Sequence, residues 1–200
     1  VGREKPDHYA QRAKKEGFPA RSVYKLKEID RKFRLLREGG RVLDIGAAPG
    51  SWSMFAAQRL GPAGVVVAVD LKDFEIERRS RSARVECFVG DAFRPEVLSE
   101  LAERAPFDLV LSDAAPATSG TRSLDTARSA ALVESVLALV DRFLDKGGHM
   151  VTKIFQGSEE REIVEQMRSR FSAVHRFRPA AVRKESFETF LIGLKKEDEA

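Results

Sequence analysis

Apolar runs and polar breaks alternate along this chain in the manner of an α/β protein. Segments 41–45, 65–70 and 107–113 are short, nearly unbroken apolar runs, as expected of strands buried on both faces of a parallel sheet. Segments 84–89 and 149–154 extend the series to five strands. Helical periodicity fills the intervals over 51–60, 95–104, 126–145 and 158–170, with Pro95 and Ser158 as start signals and Gly61-Pro62 and Gly147-Gly148 as stops. The polar stretch 72–82 reads as a loop, and so does the Pro/Gly/Ser/Thr-rich stretch 114–125, which is long enough to carry function. Two more helices are predicted ahead of the first strand. One runs over 6–16, opened by Pro6 and closed by Gly17; the other runs over 22–35, capped by Ser22, with Val23, Leu26, Ile29 and Phe33 recurring at helical spacing. At the other end, 173–177 and 187–194 read as strands with no helix between them, so they should pair antiparallel. The pattern describes one α/β domain over 1–200. It has a mostly parallel seven-stranded sheet, an antiparallel C-terminal strand pair and an N-terminal helical extension, with 1–38 as the extension and 39–200 as the core.

The first strand passes through Gly46-Ala47-Ala48-Pro49-Gly50 into a helix beginning Ser51-Trp52. Such a handover through small residues is how a Rossmann-like sheet approaches a nucleotide. Gly46 and Gly50 remove Cβ atoms where a ligand would meet backbone. The spacing is not G-x-G-x-x-G, because position 48 is Ala, and Pro49 deletes an N–H that a pyrophosphate would use. The loop suits a nucleoside cofactor without phosphates, S-adenosylmethionine foremost; a plain strand–turn–helix corner would use the same small residues. Ligands of open parallel sheets sit beyond the carboxyl ends of the strands, and Asp44, Asp70, Asp91, Asp113 and Lys153 fall at or near such ends. Asp70, 24 residues past Gly46, stands where an acid accepts from a ribose diol, and Asp91 can accept from an adenine amine. Singly, each acid reads as a turn or cap residue. Jointly, after a glycine loop, they favour the cofactor.

Charge adds a second partner. The chain is +4 overall, yet residues 1–37 carry twelve Lys or Arg against five acids. A basic extension of this kind suits a polyanion, most commonly nucleic acid, with a solvated helical face as the plainer alternative. Its candidate phosphate contacts are Lys5, Arg12, Lys14, Lys15 and Arg21, and Arg178, Arg183 and Lys184 would extend the surface. No apolar run approaches the roughly 18 residues of a membrane span, and the polar N-terminus is unlike a secretory signal. A single cysteine fits a reducing compartment, and three scattered histidines offer no metal site. A monomeric, cytoplasmic protein without metal is expected.

The acceptor is narrowed by what is missing. Ser112-Asp113-Ala114-Ala115-Pro116 is not the Asn/Asp-Pro-Pro-Tyr/Phe of amino-methylating enzymes, and Cys87, inside a strand and read as core, is no thiolate nucleophile. A hydroxyl acceptor remains, and it needs its proton removed or weakened. Lys153 and Asp113 can do this, with Lys25 as a second cation lowering the lysine's basicity and Glu188 facing the site by strand alternation. An exposed strand-end lysine and a solvent-facing glutamate have the same spacing.

Five segments then carry a resemblance: Ala20 to Leu26, Asp44 to Trp52, Ser112 to Pro116, Val151 to Gly157 and Ser186 to Glu188. Over nearly its whole length the chain is similar to the FtsJ/RrmJ family of RNA 2′-O-ribose methyltransferases. The resemblance implies a class I S-adenosylmethionine-dependent methyltransferase fold, a catalytic tetrad of Lys25, Asp113, Lys153 and Glu188, and cofactor contacts at Gly50, Trp52, Asp70, Asp91 and Asp113. It also implies that Lys153 is the central base. Ser51 departs from the second Gly that bacterial members often have. Compact length resembles members acting on a uridine of 23S ribosomal RNA in the large subunit; the stretch from Tyr9 to Lys25 equally resembles tRNA anticodon-loop members. A non-catalytic RNA-binding assembly factor on this fold would have a broken tetrad, and a small-molecule enzyme would lack the basic extension.

Overall fold

The computed structural model describes residues 7–77 and 79–198, so Lys5 and the proposed helix start at Pro6 lie outside the described residues. Two helices, α1 (His8–Lys15) and α2 (Val23–Phe33), precede β1 (Arg41–Ile45), α3 (Ser51–Leu60), β2 (Val65–Asp70) and β3 (Arg84–Val89). Next come α4 (Pro95–Arg104), β4 (Phe107–Ser112), α5 (Arg122–Phe143), β5 (Leu144–Phe155), α6 (Glu160–Arg168), β6 (Phe171–Phe177) and β7 (Glu188–Lys196). The strands form one seven-stranded sheet in the order β3-β2-β1-β4-β5-β7-β6. β7 runs antiparallel to both β5 and β6, and the pairings from β3 to β5 are parallel. This is the predicted architecture.

Alternation along the strands divides the core. Leu43, Ile45, Val110, Met150 and Ile154 pack under α5, with Val133, Leu137 and Val140 above them. Val42, Leu109, Leu111, Val151, Phe190 and Ile192 face the other way, against Leu26 and Ile29 of α2 and Trp52 and Ala56 of α3. The basic extension is therefore a packed layer: its apolar stripe covers one sheet face, while Lys14 and Lys15 are exposed.

Local start signals were less faithful than periodicity. Asp7 caps α1, accepting from the Tyr9 and Ala10 amides, but Ser22 makes no capping bond to α2. Nor does Ser158 cap α6; its hydroxyl turns to Glu159 Oε1 at 3.1 Å. α5 begins four residues before the predicted 126, because Asp125 in its first turn accepts from the Ser119 amide and hydroxyl and from the Gly120 amide. β5 begins at Leu144, which pairs with Phe107, so the predicted helix end is already strand. Cys87 is exposed rather than core, since β3 is the sheet edge.

Candidate active site

Strand parity assembles the chemistry on the α2 side. Counting by twos from Leu109 and Leu111 reaches Asp113, from Val151 reaches Lys153, and from Ile192 and Phe190 reaches Glu188. Lys25 meets them from α2. Lys25 Nζ lies 2.6 Å from Glu188 Oε1 and 3.6 Å from Asp113 Oδ1, and Lys153 Nζ lies 3.1 Å from the same Asp113 oxygen. Lys153 also donates to the Asp113 carbonyl at 2.5 Å. Asp113 Oδ1 is thus within ion-pair reach of both ammonium groups, yet aligned for a hydrogen bond with neither. The four side chains retain only 10–16% exposure. Two cations and two carboxylates balance in a recess that is open enough for a ligand. Lys153 directs one N–H at the carbonyl and leans a second toward the carboxylate, leaving a third donor position free.

Asp113 also borders a cavity of about 530 Å³, within the range of small-ligand sites, together with Gly46, Asp70, Leu71, Asp91 and Phe93. Asp70 Oδ2 accepts from the Ala48 amide at 2.9 Å and Oδ1 from the Lys72 amide at 2.8 Å. These amides fix the carboxylate and leave a lone pair on each oxygen for a diol. Asp91 is set similarly by the Phe93 amide at 3.0 Å. Gly46 (φ 75°) is required here: a Cβ would lie 2.7 Å from Ala114 Cα, where the β1 and β4 turns meet. Gly50 (φ 100°) is similarly close to Ile76, whose Cγ1 would be 2.8 Å away. Leu71, Lys72 and Phe93 were not foreseen at this cavity. The available signal was their position one or two residues past Asp70 and Asp91.

Of the expected cofactor contacts, Gly50 and Trp52 do not border this cavity. Trp52 is buried away from the cavity; its indole N–H donates to the Ser22 carbonyl at 2.8 Å and its ring packs on Phe190. Ser51 Oγ accepts from the Ala20 amide at 2.8 Å and returns a bond to the Ala20 carbonyl at 3.1 Å. The cofactor-type loop is thereby tied to the chain that carries Lys25. Arg21 is likewise internal, bonding Asp7 and the Ala181 carbonyl. Arg12 pairs with Glu16 at 2.7 Å, and Lys27 and Arg12 together hold the Glu16 carboxyl well down, at about 2.

The connection before Glu188 is braced from both sides. Arg178 donates to the carbonyls of Glu188, Ser186 and Arg183, at 2.6, 2.7 and 3.1 Å. Glu28 of α2 accepts from the Ala180 and Ala181 amides at 2.7 and 3.0 Å. Arg178 is thus a loop organiser, which its place in a basic run did not reveal.

Asp44 is the strand-end acid that does not reach the cavity. By parity with Val42 it points under α3, where it is 1% exposed and accepts from Ser53 Oγ at 2.5 Å. Burial, aided by the nearby Asp113 and Asp70 charges and opposed by Ser53, pushes its carboxyl up to about 7. The unfolded group ionises near 4. The native state keeps the proton longer, so this stabilisation is complete below about pH 4 and is lost as pH rises through about 7. Asp44→Asn should therefore melt increasingly above the parent as pH rises from 4 to 8, by at most roughly 4 kcal/mol. A melting difference independent of pH would contradict this.

Among the described residues, no cluster of His, Cys, Asp and Glu offers a metal site, and no helix is long and apolar enough to cross a membrane. The fold is that of Rossmann-like methyltransferases. A solved Plasmodium falciparum chain described as a ribosomal RNA methyltransferase superposes with a TM-score of 0.75 at 22% identity, covering 91% of this chain and 100% of that one. Human methyltransferase-like protein 13, solved with SAH, superposes at 0.60 with 15% identity, covering 84% and 81%. Sequence narrows the class. The FtsJ-like methyltransferase model matches residues 18–196. Ribosomal RNA large subunit methyltransferase E of Nitratidesulfovibrio vulgaris is 50% identical over 189 residues, 94% of this chain and 92% of its own. This chain belongs to the FtsJ-like methyltransferase family.

Proposed function

We propose that this protein transfers a methyl group from S-adenosylmethionine to a ribose 2′-hydroxyl of RNA, at a uridine of 23S ribosomal RNA in the large subunit. The observation carrying this reading is the balanced cluster of Lys25, Asp113, Lys153 and Glu188, which shares Asp113 with the nucleoside-sized cavity. The name and similarity of the large-subunit relative favour ribosomal RNA. Asp70 would hold the ribose diol, Asp91 the adenine amine, and Gly46 and Gly50 the close backbone approach, with Trp52 contributing only backbone. When bound, the cofactor supplies a methyl carbon activated by a positive sulfur. Once it has given up its extra proton to solvent, Lys153 Nζ would orient the acceptor hydroxyl and take its proton as the methyl group passes from the cofactor to that oxygen. Asp113 holds Lys153 in place; Glu188 and Lys25 fix Asp113 from the far side. Work on ribosomal RNA implies the cytoplasm, and no metal has a part in this scheme.

Purified protein with isotopically methyl-labelled cofactor should label the 2′-oxygen of large-subunit RNA lacking the modification; label confined to bases would sink the reading. Lys14 and Lys15 are exposed members of the basic extension, free to meet phosphate. Lys14→Gln/Lys15→Gln should weaken RNA binding and flatten the log–log salt slope by roughly 0.7–0.9 per lost contact, leaving cofactor affinity intact. Unchanged affinity and slope would remove them from the RNA face.

A further inference from the structure

A second cavity, of about 380 Å³, opens on the other side of the tetrad, bordered by Lys25, Glu188, Ser22, Arg183 and Phe187. Lys25 and Glu188 are the tetrad members on this border and Asp113 is the one on the first cavity, so the cluster lies between the two cavities. Among the described residues, Phe187 is the only ring on that border. It is half-buried and rests against Phe155, centroids 4.7 Å apart. Phe155 lies two residues past Lys153 on the same strand face, and Phe155 pairs with Glu188. The aromatic pair is therefore anchored to the backbone that carries two of the four tetrad groups. The exposed Arg122, first residue of α5, holds its guanidinium 5.3 Å from the Phe187 centroid. A planar cation already occupies a place where a planar ring could stack.

We propose that Phe187 is the stacking platform for the base of the nucleotide whose ribose is methylated, the base taking the place that Arg122 now holds. This rests on the RNA reading above. The tetrad is recessed, so the acceptor ribose must leave a stacked strand to reach Lys153, and its base loses neighbours as it does so. Phe187 replaces one of them. Stacking on a ring is tolerant of base identity, so the platform sets position and the surrounding RNA sets choice.

Phe187→Leu keeps the apolar contact with Phe155 but removes the ring. It should lower kcat/KM for unmodified large-subunit RNA by roughly tenfold or more, as base–aromatic stacking energies imply. Melting temperature and cofactor affinity should stay at parental values, and Phe187→Tyr should retain activity. Parental kcat/KM in Phe187→Leu, or equal losses in the Leu and Tyr variants, would reduce Phe187 to a packing residue and overturn the proposal. Phe187→Trp gives a readout independent of methyl transfer: saturating RNA should quench the new indole emission, whereas Trp52 is buried. Absence of quenching at saturation overturns the platform. RNA that quenches but is never methylated by the parent would instead defeat the functional reading and leave the platform standing.

Discussion

Replacing Lys153 with Ala is expected to lower methyl transfer by roughly 10²–10⁴-fold, the range of a lost general base. Cofactor affinity should barely change, because Lys153 belongs to the tetrad and does not line the cavity that holds Asp70 and Asp91. Single-turnover assays at saturating cofactor separate the chemical step from binding. Asp113 keeps its Lys25 partner in this variant, although 3.6 Å away, so the recess is not left with an unpaired carboxylate. Near-parental turnover would assign the proton transfer to another group. Lys153→Arg should not rescue, since a guanidinium does not release its proton to serve as a base.

Asp70→Ala should act on the opposite half of the reaction. It would remove the two hydrogen bonds proposed to hold a ribose diol, and it frees the Ala48 and Lys72 amides that now hold the carboxylate. Hydrogen bonds to charged groups contribute about 1.5–3 kcal/mol each, so cofactor affinity should fall by roughly 10²-fold or more. Calorimetric titration with the cofactor measures this directly. Turnover at saturating cofactor should fall far less than in Lys153→Ala. Unaltered affinity would refute the ribose assignment.

Legibility followed the range of the interaction. Strands β1, β2 and β3 and helices α3 and α4 coincide with their predicted limits because apolar runs there end in Gly, Pro or an acid. The start of α5 was missed because residues 119–121 look like loop, and only the Asp125 side chain shows that they are tied to a helix. Asp113 and Lys153 were readable as strand-end groups and Glu188 by strand alternation, because both are local rules. Lys25 was named as a second cation beside Lys153 and again by the resemblance, although nothing local shows which face of the sheet α2 covers. Trp52 and Arg21 were misjudged because each partners a segment distant in sequence, at Ser22 and Ala181, whereas Arg178 turns into its own loop at Arg183, Ser186 and Glu188. The loop 46–52 likewise proved to be more than a strand-to-helix turn, because Ser51 and Trp52 bind it to the segment between α1 and α2 ahead of Lys25.

The central claim is that the Lys153-centred cluster methylates one ribose of large-subunit RNA. Mapping 2′-O-methyl positions across total RNA tests it most directly, in cells lacking this protein and in the same cells given either the parent chain or Lys153→Ala. One 23S uridine is expected to lose its 2′-O-methylation without the protein, to regain it with the parent and not to regain it with Lys153→Ala. An unchanged map, a lost position in tRNA instead, or full restoration by Lys153→Ala would contradict it.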